Sequence, residues 1–384
     1  MVTMTRTGGL RSTLALGAAV VAGAAGAAHA AEPQPLPAQR VVESDRMAFT
    51  SLAEDGLVRT QERWWNADAG WYKGALGGDP QTASLWWAFP LLEATAATAI
   101  AEPTPANEQR VEELFAGAER YWDPTLENGA GGVAAGWGVS PSGHAFFDDA
   151  GWWGVAYLDA YRATQDPRWL ADAAKALEFI DRFGWDPRSG GTWWDTSHEK
   201  KTSEPLAAGT LIAATLYRIQ HKPQYLAIAT KYLQWADAKT RNLLQGDLYG
   251  RNATDGTVMD YVEGMMIAAH VELCVGTKQE SYCRRAEQLA DASLQEFPVL
   301  ADWAPETDVV YLRGLLRLYQ RDRDPRWYAV VYANAKRALL HARDAEGLWS
   351  KRWDGGWTQP GVIYTQAATL ELFAWAATDH PPPP

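Results

Sequence analysis

Two stretches far apart in the chain share four residues: TQDPRWLADAAKAL and DRDPRWYAVVYANA both carry Asp-Pro-Arg-Trp, at Asp166 to Trp169 and at Asp324 to Trp327. Aspartate is a favoured N-cap and proline fits the first turn of a helix, so each copy starts a helix directly where another ends. HKPQYLAIATKYL, from His221, reads as a third copy. A chain that keeps restarting helices after short turns builds helical hairpins. Such hairpins must stack, because none of them can bury its apolar face alone.

Apolar residues recur at helical period along nearly the whole chain, and strand-like alternation is scarce. Caps and breakers predict helices over 45–65, 83–100, 106–122, 149–164, 167–183, 205–220, 223–241, 260–276, 279–296, 306–321, 325–343 and 361–378. Short connections alternate with long ones near 66–82, 124–148, 184–204, 242–259, 297–305 and 344–360, which hold most of the Trp and Gly found outside the helices. LAAGTLIAATLY and GMMIAAHVEL are apolar on nearly every side, as expected of helices with neighbours all round, whereas NEQRVEELFAGAERYW is amphipathic. The pattern predicts an all-α fold, an (α/α)6 barrel of six helical hairpins. Its inner helices begin near Ala83, Asp149, Pro205, Asp260, Glu306 and Gly361, and its cleft lies at their N-terminal ends, where the long loops gather. An open solenoid is the other way to stack six hairpins.

The first thirty residues read as an export signal: Arg6 and Arg11 form the basic region, LALGAAVVAGAAGAA the apolar stretch, and Ala28-His29-Ala30 a small-x-small cleavage pattern. The expected organisation is a signal peptide over 1–30, a Pro-rich leader over 31–44, a catalytic domain over 45–379 and a Pro-rich tail over 380–384, in a protein secreted or sent to a periplasm. No later stretch is long and apolar enough to span a bilayer. The net charge of −12 and the pI of about 5.1, with no basic run, argue against nucleic acid and anionic membrane surfaces as partners. A closed barrel without an apolar seam is expected to be a monomer. Cys274 and Cys283, nine residues apart, fit either a bridge across a helix-helix turn or two buried free thiols. No His or Cys spacing suits a metal, so neither metal nor cofactor is expected.

Chemistry enters with the aromatics. The chain has 20 Trp and 15 Tyr, many in Gly-rich segments such as RWWNADAGWY, GGTWWD and KRWDGGWTQ, where flat faces suit sugar rings. HAFFDDAGWWGVAYLDAY then sets Asp148 and Asp149 at the mouth of the second inner helix, against Phe146, Phe147, Trp152 and Trp153. The positive helix end favours carboxylate charge, while the neighbouring acid and the aromatic wall favour keeping one proton. Two carboxyls pushed to different pKa values are what an acid and a nucleophile require. Retaining glycoside hydrolysis needs them about 5–5.5 Å apart, within reach of adjacent residues on a turn. The plainer alternative is an N-cap with a solvated neighbour.

FFDDAGWWGVAYLDAY, then DPRWLADAAKALEFI, then WDPRSGGTWWDTSHEKKTSEPLAAGTLIAATLYRI resemble the core of glycoside hydrolase family 76, the α-1,6-mannanases, and YLRGLLRLYQ from Tyr311 resembles a later family segment. The resemblance implies an (α/α)6 barrel and a retaining endo-mannanase without cofactor. By carry-over, Asp148 matches the nucleophile and Asp149 the general acid/base. One stretch departs from the family: DYVEGMMIAAHVEL, from Asp260, stands where Tyr-Asn-Gln-Gly is usual, so Val262 and Glu263 replace an amide pair. Glu263 is expected near the cleft, able to raise the pKa of Asp149 if close enough. Trp137, Phe147, Trp152, Trp193, Trp194 and Tyr261 are candidates for contact with sugar, and His144 and Lys201 for hydrogen bonds to its hydroxyls. The expected function is a secreted retaining hydrolase acting inside α-1,6-linked mannan or a related mannose-containing glycan, through a covalent glycosyl-aspartate. Two alternatives remain open: a transglycosylase on the same fold, and a non-catalytic glycan-binding protein. Sugar epimerases on this barrel would need His or Arg groups in the cleft, and the sequence shows no His pair on an inner helix.

Overall fold

The computed structural model describes residues 35–77, 81–138, 144–297, 299, 304–356 and 361–382; the expected signal peptide lies outside them. Twelve long helices follow one another: α1 (Gln39–Trp64), α2 (Leu85–Ala101), α3 (Pro105–Ala118), α4 (Phe147–Thr164), α5 (Pro167–Phe179), α6 (Ser203–Gln220), α7 (Pro223–Lys239), α8 (Asp260–Thr277), α9 (Glu280–Glu296), α10 (Pro305–Asp322), α11 (Pro325–His341) and α12 (Ile363–Ala377). The even-numbered helices pack on one another in turn, and α12 closes on α2, so the ring is shut and the solenoid is excluded. The odd-numbered helices lie outside, each against one or two inner ones. This is the expected (α/α)6 barrel. Among the described residues, no helix is long and apolar enough to cross a membrane.

Burial and crowding set the ring's dimensions. All fifteen residues of α12 are buried. At the α8–α10 crossing, a Cβ on Gly314 would lie 2.3 Å from the Gly264 carbonyl oxygen, and at α4–α6 one on Gly151 would lie 2.4 Å from Cβ of Ala208. Any side chain there would force these helices apart.

Four of the short turns share one geometry. Gln165, His221, Lys278 and Arg323 end α4, α6, α8 and α10 in the left-handed region, with φ of 59°, 53°, 60° and 62°. One N-cap residue then restarts the chain. Asp166 and Asp324 accept from the amides of Arg168 and Arg326, both at 2.9 Å, so the repeated Asp-Pro-Arg-Trp caps helices as its sequence predicts. The long connections hold three two-residue antiparallel ladders, Trp65–Asn66 with Trp71–Tyr72, Trp122–Asp123 with Gly132–Val133, and Arg241–Asn242 with Leu248–Tyr249.

Two boundaries differ from expectation. Helix α1 starts at Gln39, inside the segment read as leader, because the prolines stop at Pro37 and Val42 and Phe49 are already buried. Arg46 there also donates to the Ala377 carbonyl at 3.2 Å, tying α1 to the end of α12. Within the expected tail, the His380 carbonyl accepts from the Tyr319 hydroxyl at 2.9 Å, so the chain docks on α10 past its last helix.

Cys274 and Cys283 form a disulfide with Cα atoms 5.3 Å apart, which settles the choice left open by their spacing. It spans the one left-handed turn of the four that lacks proline, where Gln279 offers no side-chain cap to α9. Replacing both cysteines by serine should lower unfolding stability by about 2–3 kcal/mol, the chain-entropy value for a loop this short, read as a fall in denaturant midpoint. An unchanged midpoint would mean that helix packing alone holds this turn.

Candidate active site

The long loops and the N-terminal ends of the inner helices meet on one face. Asp148 and Asp149 lie in the first turn of α4, whose N-cap is Phe146, so neither takes the N-cap position. A bridge between Phe146 and Asp195, with the Phe147 amide donating to the Trp194 carbonyl at 2.8 Å, clamps the GGTWWD loop against this turn. The clamp aims the Trp194 indole N–H at Oδ2 of Asp148, 2.8 Å away, while the Asp149 amide donates to Oδ1 at 3.0 Å.

The two acids differ in surroundings. Asp148 is half-buried, and burial pushes its pKa up to about 7, helped by the charge of Glu204 and opposed by the Trp194 bond. Asp149 is buried, and desolvation followed by the charge of Asp148 holds it well above the usual carboxylate range. Asp148 therefore ionises first and Asp149 keeps its proton, an ordering of the pair as a coupled unit.

Other acids line the neighbouring helix starts. Glu204, in the first turn of α6, accepts from the Thr202 hydroxyl and, at 3.2 Å, from the Tyr261 hydroxyl. Sequence reasoning passed over it, although TSEPLAAG places an acid in the same turn of its helix as the aspartate pair. Asp260 is buried at the start of α8, with a pKa pushed up to about 6 by burial and held back by a hydrogen bond with Asp308. Trp152 and Tyr261 do meet here, with ring centroids 6.1 Å apart, and Trp86 and Phe89 complete the cluster at 5.6 and 5.0 Å from Trp152. Trp194 and Trp87 are exposed aromatics of this face, each 36% accessible. Trp86 and Trp87, from SLWWAF, were also missed.

Several expected contacts turn away from the cleft. Phe147 is fully buried against Phe179, 5.1 Å between centroids. Trp137 stacks on Trp71 at 5.4 Å with Arg120 3.8 Å above its other side, and donates to the Gly117 carbonyl. Trp193 is half-buried between His198 and Lys201. The Lys201 ammonium bonds Asp186, Ser189 and the Gly190 carbonyl at 2.5, 2.6 and 2.6 Å; it braces the loop and holds the Asp186 carboxyl far below its usual range. His144 is exposed beside the Phe146 bridge. Among the described residues, the one grouping of side chains close enough to share an ion is Cys274, Glu280 and Cys283, whose sulfurs are taken by the disulfide.

Glu263 is a correction. It is 0% exposed; Oε1 accepts the Tyr249 amide at 2.6 Å and Oε2 is buried without a hydrogen-bond partner. It anchors the Leu248–Tyr249 ladder under α8, away from the cleft, and it is not among the groups that shift Asp149. Burial raises its pKa to about 8. A folded-state value above the unfolded one contributes stability at low pH that is lost as pH rises, here from about 4.5 to about 8, at about 1.4 kcal/mol per unit at most. Glu263→Gln should flatten that decline, raising Tm at pH 8 relative to wild type while leaving pH 4 nearly unchanged. A parallel shift at both pH values would show that the carboxyl is not the titrating group.

Residues 139–300, from before the aspartate pair to beyond α9, match the model of Glycosyl hydrolase family 76. No curated protein sequence matches the chain. Among solved structures, a family 76 α-mannanase from Bacteroides thetaiotaomicron superposes with a TM-score of 0.76 at 19% identity, over 88% of this chain and 98% of that one. An inactive variant of an α-1,6-mannanase from Salegentibacter sp. HEL1_6, with two consecutive aspartates replaced by alanine and bound to α-1,6-mannotetraose, gives 0.70 at 18% identity, over 86% and 98%. Cellobiose 2-epimerase from Bacillus thermoamylovorans shares the barrel more distantly, with 0.66 at 14% identity, over 86% and 99%. Residues 139–300, which carry the aspartate pair, are thus similar to glycoside hydrolase family 76, on a barrel shared with family 76 structures.

Proposed function

We propose that the protein is an exported, retaining, endo-acting hydrolase of α-1,6-linked mannan or a closely related mannose-containing glycan, delivered by a signal peptide over residues 1–30. The observation that carries this reading is the divided aspartate pair: one carboxyl bonded by an indole and ready to ionise, its neighbour desolvated and protonated. Asp148 attacks the anomeric carbon while Asp149 protonates the departing glycosidic oxygen. Water, activated by the Asp149 carboxylate so formed, then releases the sugar from the glycosyl-Asp148 ester, and a second inversion restores the α-configuration. The inactive Salegentibacter variant supports the reading, since loss of two consecutive aspartates accompanies a complex with an α-1,6-mannooligosaccharide. Trp194 and Trp87 supply exposed ring faces for flanking sugars.

The test is to incubate wild type, Asp148→Asn and Asp149→Asn with linear α-1,6-mannan, following new reducing ends and the first anomer by proton NMR. Wild type should release α-anomer, and each variant should lose at least about a thousandfold in kcat/KM. Release of β-anomer would overturn the retaining mechanism, and no release at all the substrate class.

The pKa values also carry a sign. Asp148 must be ionised to attack, so kcat/KM should fall about tenfold per unit as pH drops below about 7, and fall again at high pH when Asp149 loses its proton. Trp194→Phe removes a bond to the ionised form and should move the acid limb upward by about one unit. An unmoved limb would separate Asp148 from the group that governs it.

A further inference from the structure

The barrel has a second mouth. At the C-terminal ends of the inner helices it opens into a cavity of about 490 Å3, reaching from Arg162, Arg218 and Arg317 at the rim down to Phe89, Trp152 and Met265. Arg162 lies fourteen residues after Asp148 on the same helix, about 20 Å along the axis at 1.5 Å per residue. The Trp86–Phe89–Trp152–Tyr261 cluster stands between the two ends, so this cavity and the aspartate cleft share a floor but have separate entrances.

Its chemistry is graded. The deep wall is apolar, whereas the outer part carries four guanidiniums in a protein of net charge −12. Three of them are matched within the barrel. Arg313 spans to Glu93 at 2.7 Å and to Asp159, and Arg218 and Arg317 converge on Glu272, the latter at 2.6 Å. Asp159 and Glu272 are the carboxylates that line the cavity. Glu93 and Glu371 lie deeper, and their burial favours the neutral form. Asp379, at the rim, is engaged by Gln320 and Arg323. Arg162 is the exception. Among the described residues its guanidinium has no hydrogen-bond or ion-pair partner, and it lies 5.7 Å from the centroid of the Trp375 ring. Burial and then the charges of Arg317 and Arg313 act against it, while those of Asp159 and Asp379 favour it, so it is a partly desolvated cation with carboxylates nearby but none bonded to it.

We propose that this cavity binds an amphipathic organic anion, its carboxylate or phosphate head on the Arg162 guanidinium and its apolar body against Phe89, Trp152 and Met265. A planar fork of N–H donors left unpaired over an apolar shaft suits a head that accepts two parallel hydrogen bonds and a tail that needs none. The site is independent of the aspartate pair, and its occupant need not be a sugar.

Decanoate, decanol and inorganic phosphate separate the requirements. In calorimetry on the full-length protein, decanoate should bind saturably at one site, at least tenfold more tightly than decanol or phosphate, and more weakly as salt is raised. Arg162→Gln breaks no ion pair, so the variant should fold, retain hydrolysis and lose at least tenfold in decanoate affinity. Phosphate binding as tightly as decanoate would remove the apolar body from the proposal, and decanol doing so would remove the anion. No saturable binding by wild type, or equal binding by Arg162→Gln, would overturn it entirely.

Discussion

Six helices with almost no side turned to bulk water govern the rest of this molecule. An ordinary amphipathic helix hides one stripe and solvates the other, but each inner helix here has ring neighbours on two sides, an outer helix behind it and the barrel lumen in front. Its residues must therefore be apolar, small, or paired with a partner inside. Gly264 against Gly314 and Gly151 against Ala208 show how little room remains at the crossings. The Arg313 bridge to Glu93 and Asp159 shows what a lumen-facing charge requires when water is scarce.

Since long loops precede every inner helix, all six point the same way and their dipoles add. The N-terminal mouth carries positive ends, and there the chain places Asp148, Asp149, Glu204, Asp260 and Glu306. The C-terminal mouth carries negative ends, and there it places Arg162, Arg218 and Arg317. One architectural fact thus accounts for two chemically opposite openings. The acidic one also has loops to shape it, because the long connections all reach that face, while the basic one is bordered by two- to three-residue turns and by the docked end of the chain around Asp379 and His380.

The aspartate pair depends on both levels. Helix α4 supplies position and dipole, but the difference between its two acids comes from a loop 46 residues downstream that presents Trp194 to Asp148 alone. Without that clamp the two carboxyls would differ mainly in depth. The loop in turn is held by Lys201 on Asp186, Ser189 and the Gly190 carbonyl, which gives the lysine of this stretch a structural task.

Helix number, order, hairpin pairing and the aspartate pair were legible in the sequence, because period, caps and adjacency are local properties: Asp166 and Asp324 cap the helices they precede wherever those helices lie. Direction was not legible. Trp137, Phe147 and Glu263 have the residue types of a sugar site, yet Trp137 stacks on Trp71, Phe147 packs on Phe179 and Glu263 binds the Tyr249 amide, each decided by a partner distant in sequence or by the helix face it happens to occupy. Cys274 and Cys283 were within bridging range by spacing, but only the left-handed turn at Lys278 brings them together. The amino-acid order by itself determined which segments are helical and where two acids stand side by side. Closure of the ring decided which of the other polar and aromatic groups face the cleft, which face the opposite mouth and which are sealed between helices, because in a barrel every orientation is set by neighbours that the linear chain does not place next to one another.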